Sequence, residues 1–268
     1  MKNILLVIDP QNDFCDIPSE LTNGHASALP VPGSHDDMVR LAKWLDAQNG
    51  SIDEIYVTLD SHNVIDIAHK YWWKNGAGEH PAPFTLISVE DVENGVWMPV
   101  NASHLDYAKS YVTSLEAANK YKLIIWPEHC LIGTWGHNVH NALAEALNAW
   151  SKKTGKIVNY VFKGMNPFTE HYSAIKAEVV LDDTHTHENT ALLDNLKSAT
   201  TLYVAGEALS HCVSSTVFDI VDYFDREQVK TDIVLFEDCS SPVGGFEEAT
   251  VAIKEKMASK NVIFSKTL

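Results

Sequence analysis

An acid, an amine and a thiol stand at three separated places in this 268-residue chain, each just beyond an apolar run that reads as a buried strand. Asp9 follows Asn3-Ile4-Leu5-Leu6-Val7-Ile8, Lys163 follows Ile157-Val158-Asn159-Tyr160-Val161-Phe162, and Cys212 comes shortly after Thr201-Leu202-Tyr203-Val204-Ala205-Gly206. In open parallel sheets, ligands bind outside the carboxyl ends of the strands. Gathered there, Cys212 would be a nucleophile, Asp9 a proton carrier between thiol and leaving amine, and Lys163 a positive charge that favours the thiolate. Cys212 lies where a strand gives way to a helix, so first-turn N–H groups are expected to lower its pKa and to hold an oxyanion. A buried cysteine taken alone is most simply a small apolar side chain. Three reactive groups at three strand ends favour catalysis.

A second constellation falls near the same edge. Asp60 and His62 alternate at the end of the second strand and can point to one side of an extended chain. His69 follows at loop distance, and His129 stands in Trp126-Pro127-Glu128-His129-Cys130. One carboxylate and three imidazoles suit a divalent metal, zinc first, with manganese or iron as alternatives. The chain has 13 histidines, so a chance cluster is the competing reading; placement at strand ends favours a site. The run from Leu181 to Glu188 also has metal-like composition, but reads better as a polar helix start with Asp and Thr caps.

These residues need a scaffold, and strand-like and helix-like segments alternate along most of the chain. That is the pattern of an α/β fold with a mostly parallel central sheet of about six strands and helices on both faces. Strands are expected at 3–8, 52–59, 122–126, 157–162, 201–205, 231–236 and 261–264. Helices are expected at about 36–47, 104–119, 138–150 and 246–257, and over the stretch that carries Cys212. The chain reads as a single domain, 1–268, with an insertion at about 71–121 that either walls the pocket or only extends the core.

Hydrophobic residues make up 45% and charged residues 21%, as in a globular protein. A formal charge of −16 argues against nucleic acid and against an anionic membrane surface as partners. The N-terminal apolar run is broken by Asp9 and is too short for a signal peptide or a membrane span. Four scattered cysteines, Cys15, Cys130, Cys212 and Cys239, read as reduced thiols of a cytoplasmic protein.

Taken together, the motifs resemble the nicotinamidases of the isochorismatase-like cysteine hydrolase superfamily. The resemblance is carried by Val7 to Cys15 with Ala28 to Gly33, by Asp60-Ser61-His62, by Trp126 to Cys130, by Phe162-Lys163-Gly164 and by Gly206 to Val213, in the family's order. It implies a three-layer Rossmann-like fold, an Asp9-Lys163-Cys212 triad and a divalent metal held by Asp60, His62, His129 and His69. It also implies an oxyanion site of the Ala208 and Cys212 backbone N–H groups, a cis peptide at Glu207-Ala208, and Phe14 as a pocket wall. The expected reaction is hydrolysis of nicotinamide, or of a similar small carboxamide, through a Cys212 thioester, in an enzyme that self-associates into a homo-oligomer. The chain departs from the family at Leu209-Ser210-His211, where a Thr-Asp-Tyr-like run is usual, and in the wide gap between His62 and His129. Alternatives are a related hydrolase acting on another carboxamide or carbamoyl compound, isochorismate hydrolysis, and an inactive metal-binding scaffold.

Overall fold

Long apolar runs bounded by polar turns become strands buried on both faces. In a computed structural model describing residues 1–48, 50–117 and 122–267, six of them form one all-parallel sheet. They are β1 (Asn3–Ile8), β2 (Glu54–Asp60), β3 (Val158–Lys163), β4 (Thr201–Gly206), β5 (Asp232–Phe236) and β6 (Ile263–Ser265). Their order across the sheet is β6-β5-β4-β1-β2-β3. Numbering climbs outward in both directions from the β1–β4 pair, which makes the gap between these two strands the switch point of the topology, where ligands bind in such sheets.

Among the described residues seven α-helices accompany the sheet: α1 (Ser34–Ala47), α2 (Val89–Glu93), α3 (Leu105–Ala117), α4 (Asn141–Thr154), α5 (Thr190–Leu196), α6 (Ser214–Glu227) and α7 (Glu247–Ser259). Side chains alternate across β1. Leu5 and Val7 enter a core with Met38, Leu41 and Leu45 of α1 and Leu143, Leu147 and Trp150 of α4. Ile4, Leu6 and Ile8 enter the opposite core with Leu193 of α5, Val217 and Ile220 of α6 and Met257 of α7. The expected three layers are present.

One expectation changes. The run 122–126 is not a strand of the central sheet: Leu123–Ile124 pairs antiparallel with Leu86–Ile87. Its side chains are divided between two cores, Leu123 and Ile125 facing the insertion and Ile124 and Trp126 facing the main body. The insertion forms most of a third hydrophobic cluster, with Trp72, Trp73, Val92, Tyr111 and Leu115 joined by Ile67, Leu123 and Ile125 from its flanks. The helix expected over 104–119 runs from Leu105 to Ala117; residues 118 and 119, and the far end of the insertion at 121, lie outside the described residues.

Candidate active site

Register brings the triad residues together. Asp60 and Lys163 are direct partners on β2 and β3, while Ile8 faces Gly206 across β1 and β4, so Asp9 and Glu207 leave the sheet side by side. Two glycines permit the crowding. A Cβ on Gly206 would come within 1.9 Å of the Ile8 carbonyl oxygen, and one on Gly164 within 2.7 Å of Asp60 Oδ1.

Lys163 is the hub. Its Nζ lies 3.0 Å from Asp9 Oδ2, 2.9 Å from Asp60 Oδ1 and 3.6 Å from Cys212 Sγ, and donates to the His171 carbonyl at 2.8 Å. Burial opposes its charge, but Asp60 and Asp9 outweigh burial and hold the ammonium well above the ordinary lysine value. The two acids diverge. Burial raises Asp9 against the pull of Lys163, whereas His62 and Lys163 overcome burial and hold Asp60 well below the carboxylate range. Asp9 is further fixed by Thr58, whose hydroxyl donates to Oδ1 at 2.5 Å.

Cys212 departs from the expectation of a lowered pKa. Burial raises its thiol well above the ordinary value, with Lys163 working against that shift and Asp9 and Asp60 adding to it. The chain here forms a π turn, Leu209–Val213, and α6 begins only at Ser214. The resting group is therefore a neutral thiol beside a carboxylate of raised pKa, a pair through which one proton can pass. The Glu207–Ala208 peptide is cis, as the resemblance implies.

Three imidazoles meet next to the triad. The ligand nitrogens of His62, His69 and His129 lie within 4.8 Å of one another, the only such metal-holding group among the described residues. His62 Nδ1 faces Asp66 Oδ2 at 3.0 Å and His129 Nδ1 donates to the Pro127 carbonyl at 2.8 Å. Both Nε2 atoms are thereby turned toward Asp60 Oδ2, at 3.0 and 3.4 Å. Burial, then the neighbouring His62 and His129, pushes His69 down to about 2, so its ring is neutral. Three imidazole nitrogens and one carboxylate oxygen, dry and convergent, fit a divalent ion of the zinc type. Asp60 joins the two centres, one oxygen to Lys163 and the other to the histidines.

Both centres open on one narrow cavity, lined by Asp60, His129, Ala208 and Cys212 and walled by Phe14, Leu29, Trp126, Tyr172, His211 and Val243, with Glu170 among its lining residues. Phe14 packs its ring 5.2 Å from that of His129. No described residue of the insertion lines the cavity. The insertion acts through a neighbour: the Tyr111 hydroxyl accepts from the Glu170 N–H at 2.9 Å.

All the residues singled out from sequence lie at this edge, and several others emerge only in three dimensions. Gln11 clasps the Asp60 backbone with both ends of its amide, and Asp13 accepts from the Cys130 N–H at 2.7 Å, fixing the turn that presents His129. Polar residues directly after an apolar strand were the available signal for both. Asp66 could have been found from its position four residues after His62. For Glu170 and Tyr172, local sequence offers no signal.

No protein-family model matches this chain. Over 141 residues, 52% of this chain and 57% of the relative, it is 26% identical to the nicotinamidase of Saccharomyces cerevisiae, so the match spans little more than half that protein's length. The solved structure of the yeast nicotinamidase agrees at a TM-score of 0.66 with 18% identity, covering 98% of each chain. The pyrazinamidase of Pyrococcus horikoshii in complex with zinc agrees at 0.56 with 17% identity, covering 99% of each. The fold is that of the nicotinamidases and their isochorismatase-like relatives.

Proposed function

We propose that this chain is a metal-dependent cysteine amidohydrolase that converts nicotinamide and water to nicotinate and ammonia. The observation that carries this reading is the contact of one buried ammonium, Lys163, with Asp9, Asp60 and Cys212 at the wall of a cavity that the histidine cluster also borders. Asp60, His62, His69 and His129 would hold the divalent ion, zinc first. When bound, the ion supplies a Lewis-acid contact that orients a small aromatic carboxamide.

The chain's own residues do the rest. Asp9 takes the Cys212 proton, and Sγ attacks the carboxamide carbon while the carbonyl electron pair moves to oxygen. The Ala208 and Cys212 N–H groups receive that oxyanion. Asp9 returns the proton to nitrogen, the C–N bond breaks, and ammonia leaves a thioester on Cys212. Asp9 then draws a proton from water, whose oxygen attacks the thioester carbon; the C–S bond breaks, Asp9 returns that proton to the thiolate, and the product leaves as nicotinic acid, which gives its carboxyl proton to water or ammonia to become nicotinate. Lys163 keeps Asp9 and the developing thiolate within one charge-balanced cluster. Phe14, Trp126 and Tyr172 supply flat apolar walls for a six-membered ring, a shape that favours a pyridine carboxamide over open-chain substrates.

The chain is read as one domain, 1–268, of a cytoplasmic enzyme that self-associates; among the described residues no helix is long and apolar enough to cross a membrane. The deciding experiment is ammonia release from nicotinamide by metal-loaded protein beside Cys212→Ala and a chelated sample. Release that vanishes in both controls supports the reading, and release that survives Cys212→Ala overturns it.

A further inference from the structure

Glu207 carries a carboxyl that no step above uses. It is fully buried beside the site, where an ionised carboxylate without partners is costly. Three parts of the fold converge on it. Ser241, beyond β5, donates its N–H to Glu207 Oε2 at 3.1 Å and its hydroxyl to Asp37 Oδ2 at 2.6 Å. The carbonyl of the same serine accepts from the Leu209 N–H at 2.8 Å, so one residue grips both sides of the Glu207–Ala208 peptide. From β1, the Ile8 carbonyl takes the Glu207 N–H at 2.8 Å. Asp37, on α1, is buried too, and its other oxygen takes Arg40 Nη2.

Glu207 Oε1 meets no hydrogen-bond donor among the described residues, and the carboxyl within hydrogen-bonding reach is that of Asp37. Two acceptors facing each other in a dry site leave a polar atom unsatisfied and two like charges opposed; one proton between them removes both defects. We propose that Glu207 and Asp37 share a single proton, and that this acid pair, clamped by Ser241, is the positioning device that holds the Ala208 N–H at the cavity. The second half rests on the reading of Ala208 as an oxyanion donor.

The surrounding charges agree with it. Arg40 balances one negative charge on Asp37, Asp16 and Cys15 face the pair from the loop after β1, and Asp238 and Cys239 lie beyond β5. Burial first, and Asp37 second, push Glu207 well above the carboxyl range. An acid whose folded pKa is raised holds its proton more tightly folded than unfolded. Its stabilising contribution is therefore full below the ordinary carboxyl range and is lost as pH rises through the folded value.

The test compares metal-loaded wild type with Glu207→Gln, which keeps a donor toward Asp37 and an acceptor for Ser241 at every pH. Urea unfolding is followed from about pH 5 to pH 9. The ratio of folding constants is expected to move toward the variant by up to about tenfold per pH unit. In ammonia release, Glu207→Gln should retain kcat, while Glu207→Ala should lose on the order of tenfold to a hundredfold in kcat with KM little changed. Parallel pH curves for wild type and Glu207→Gln would overturn the shared proton, and an undiminished kcat in Glu207→Ala would overturn the positioning role. A wild type that releases no ammonia defeats the nicotinamidase reading alone, and the unfolding curves still decide the proton.

Discussion

The ammonium of Lys163 lies within reach of two carboxylates and a thiol, and no water-facing surface shares its charge. Replacing it with Met would leave Asp9 and Asp60 as buried charges without their partner, a change that costs about 3–5 kcal/mol in comparable buried pairs. Lys163→Met should therefore lower the urea midpoint as well as abolish ammonia release; an inactive variant of unchanged stability would show that the ion pairs are not formed. The thiol offers a second check. Because burial raises Cys212, its alkylation by iodoacetamide in chelated protein should still be accelerating above the pH at which an ordinary thiol levels off. A plateau near neutrality would contradict the structure. At this scale the sequence was most informative: Asp9, Lys163 and Cys212 could be chosen because each interrupts or follows an apolar run with a reactive group. The direction of the Cys212 shift was not legible, because a strand-to-helix junction reports the helix dipole but not the burial that opposes it. Glu170 and Asp37 were hidden for a related reason, since their neighbours are distant in sequence.

Among the elements, β1, β2 and β4 were plain in the sequence as continuous apolar runs, and their parallel register does the positioning. The segment 122–126 misled because its apolar residues satisfy two cores rather than the two faces of one sheet. Local composition cannot distinguish these cases. The π turn at Cys212 was equally silent, as its residues would also suit an α-helix. Helix α3 reaches the cavity lining through the Tyr111 hydroxyl, which accepts from the Glu170 N–H. Tyr111→Phe removes that acceptor from a buried donor, which costs about 1–3 kcal/mol. The variant is expected to unfold at lower urea and to show a raised KM with kcat held within a few fold, measured by steady-state ammonia release. A KM equal to wild type would mean that the insertion does not influence the pocket.

For the whole molecule, the histidine cluster joins β2, the loop carrying His69 and the segment carrying His129, and a bound ion would tie them into one unit. A ligand that binds the folded state alone, present at a hundred times its dissociation constant, adds about 2.7 kcal/mol. Chelation should thus lower the melting temperature reversibly, and zinc should restore it in wild type but not in a His62→Ala, His129→Ala double variant. Equal melting temperatures with and without chelator would argue against a metal among these residues.

The third hydrophobic cluster, built mostly from the insertion, has a consequence on a different clock from catalysis. A region that builds most of its own core can open cooperatively while the rest of the chain stays folded. Amide protons of α3 should then trade for deuterium through a sub-global event, whereas those of β1 and β4 wait for complete unfolding. The Glu170 side of the cavity would be renewed on the timescale of that opening, beside a catalytic edge that never loosens.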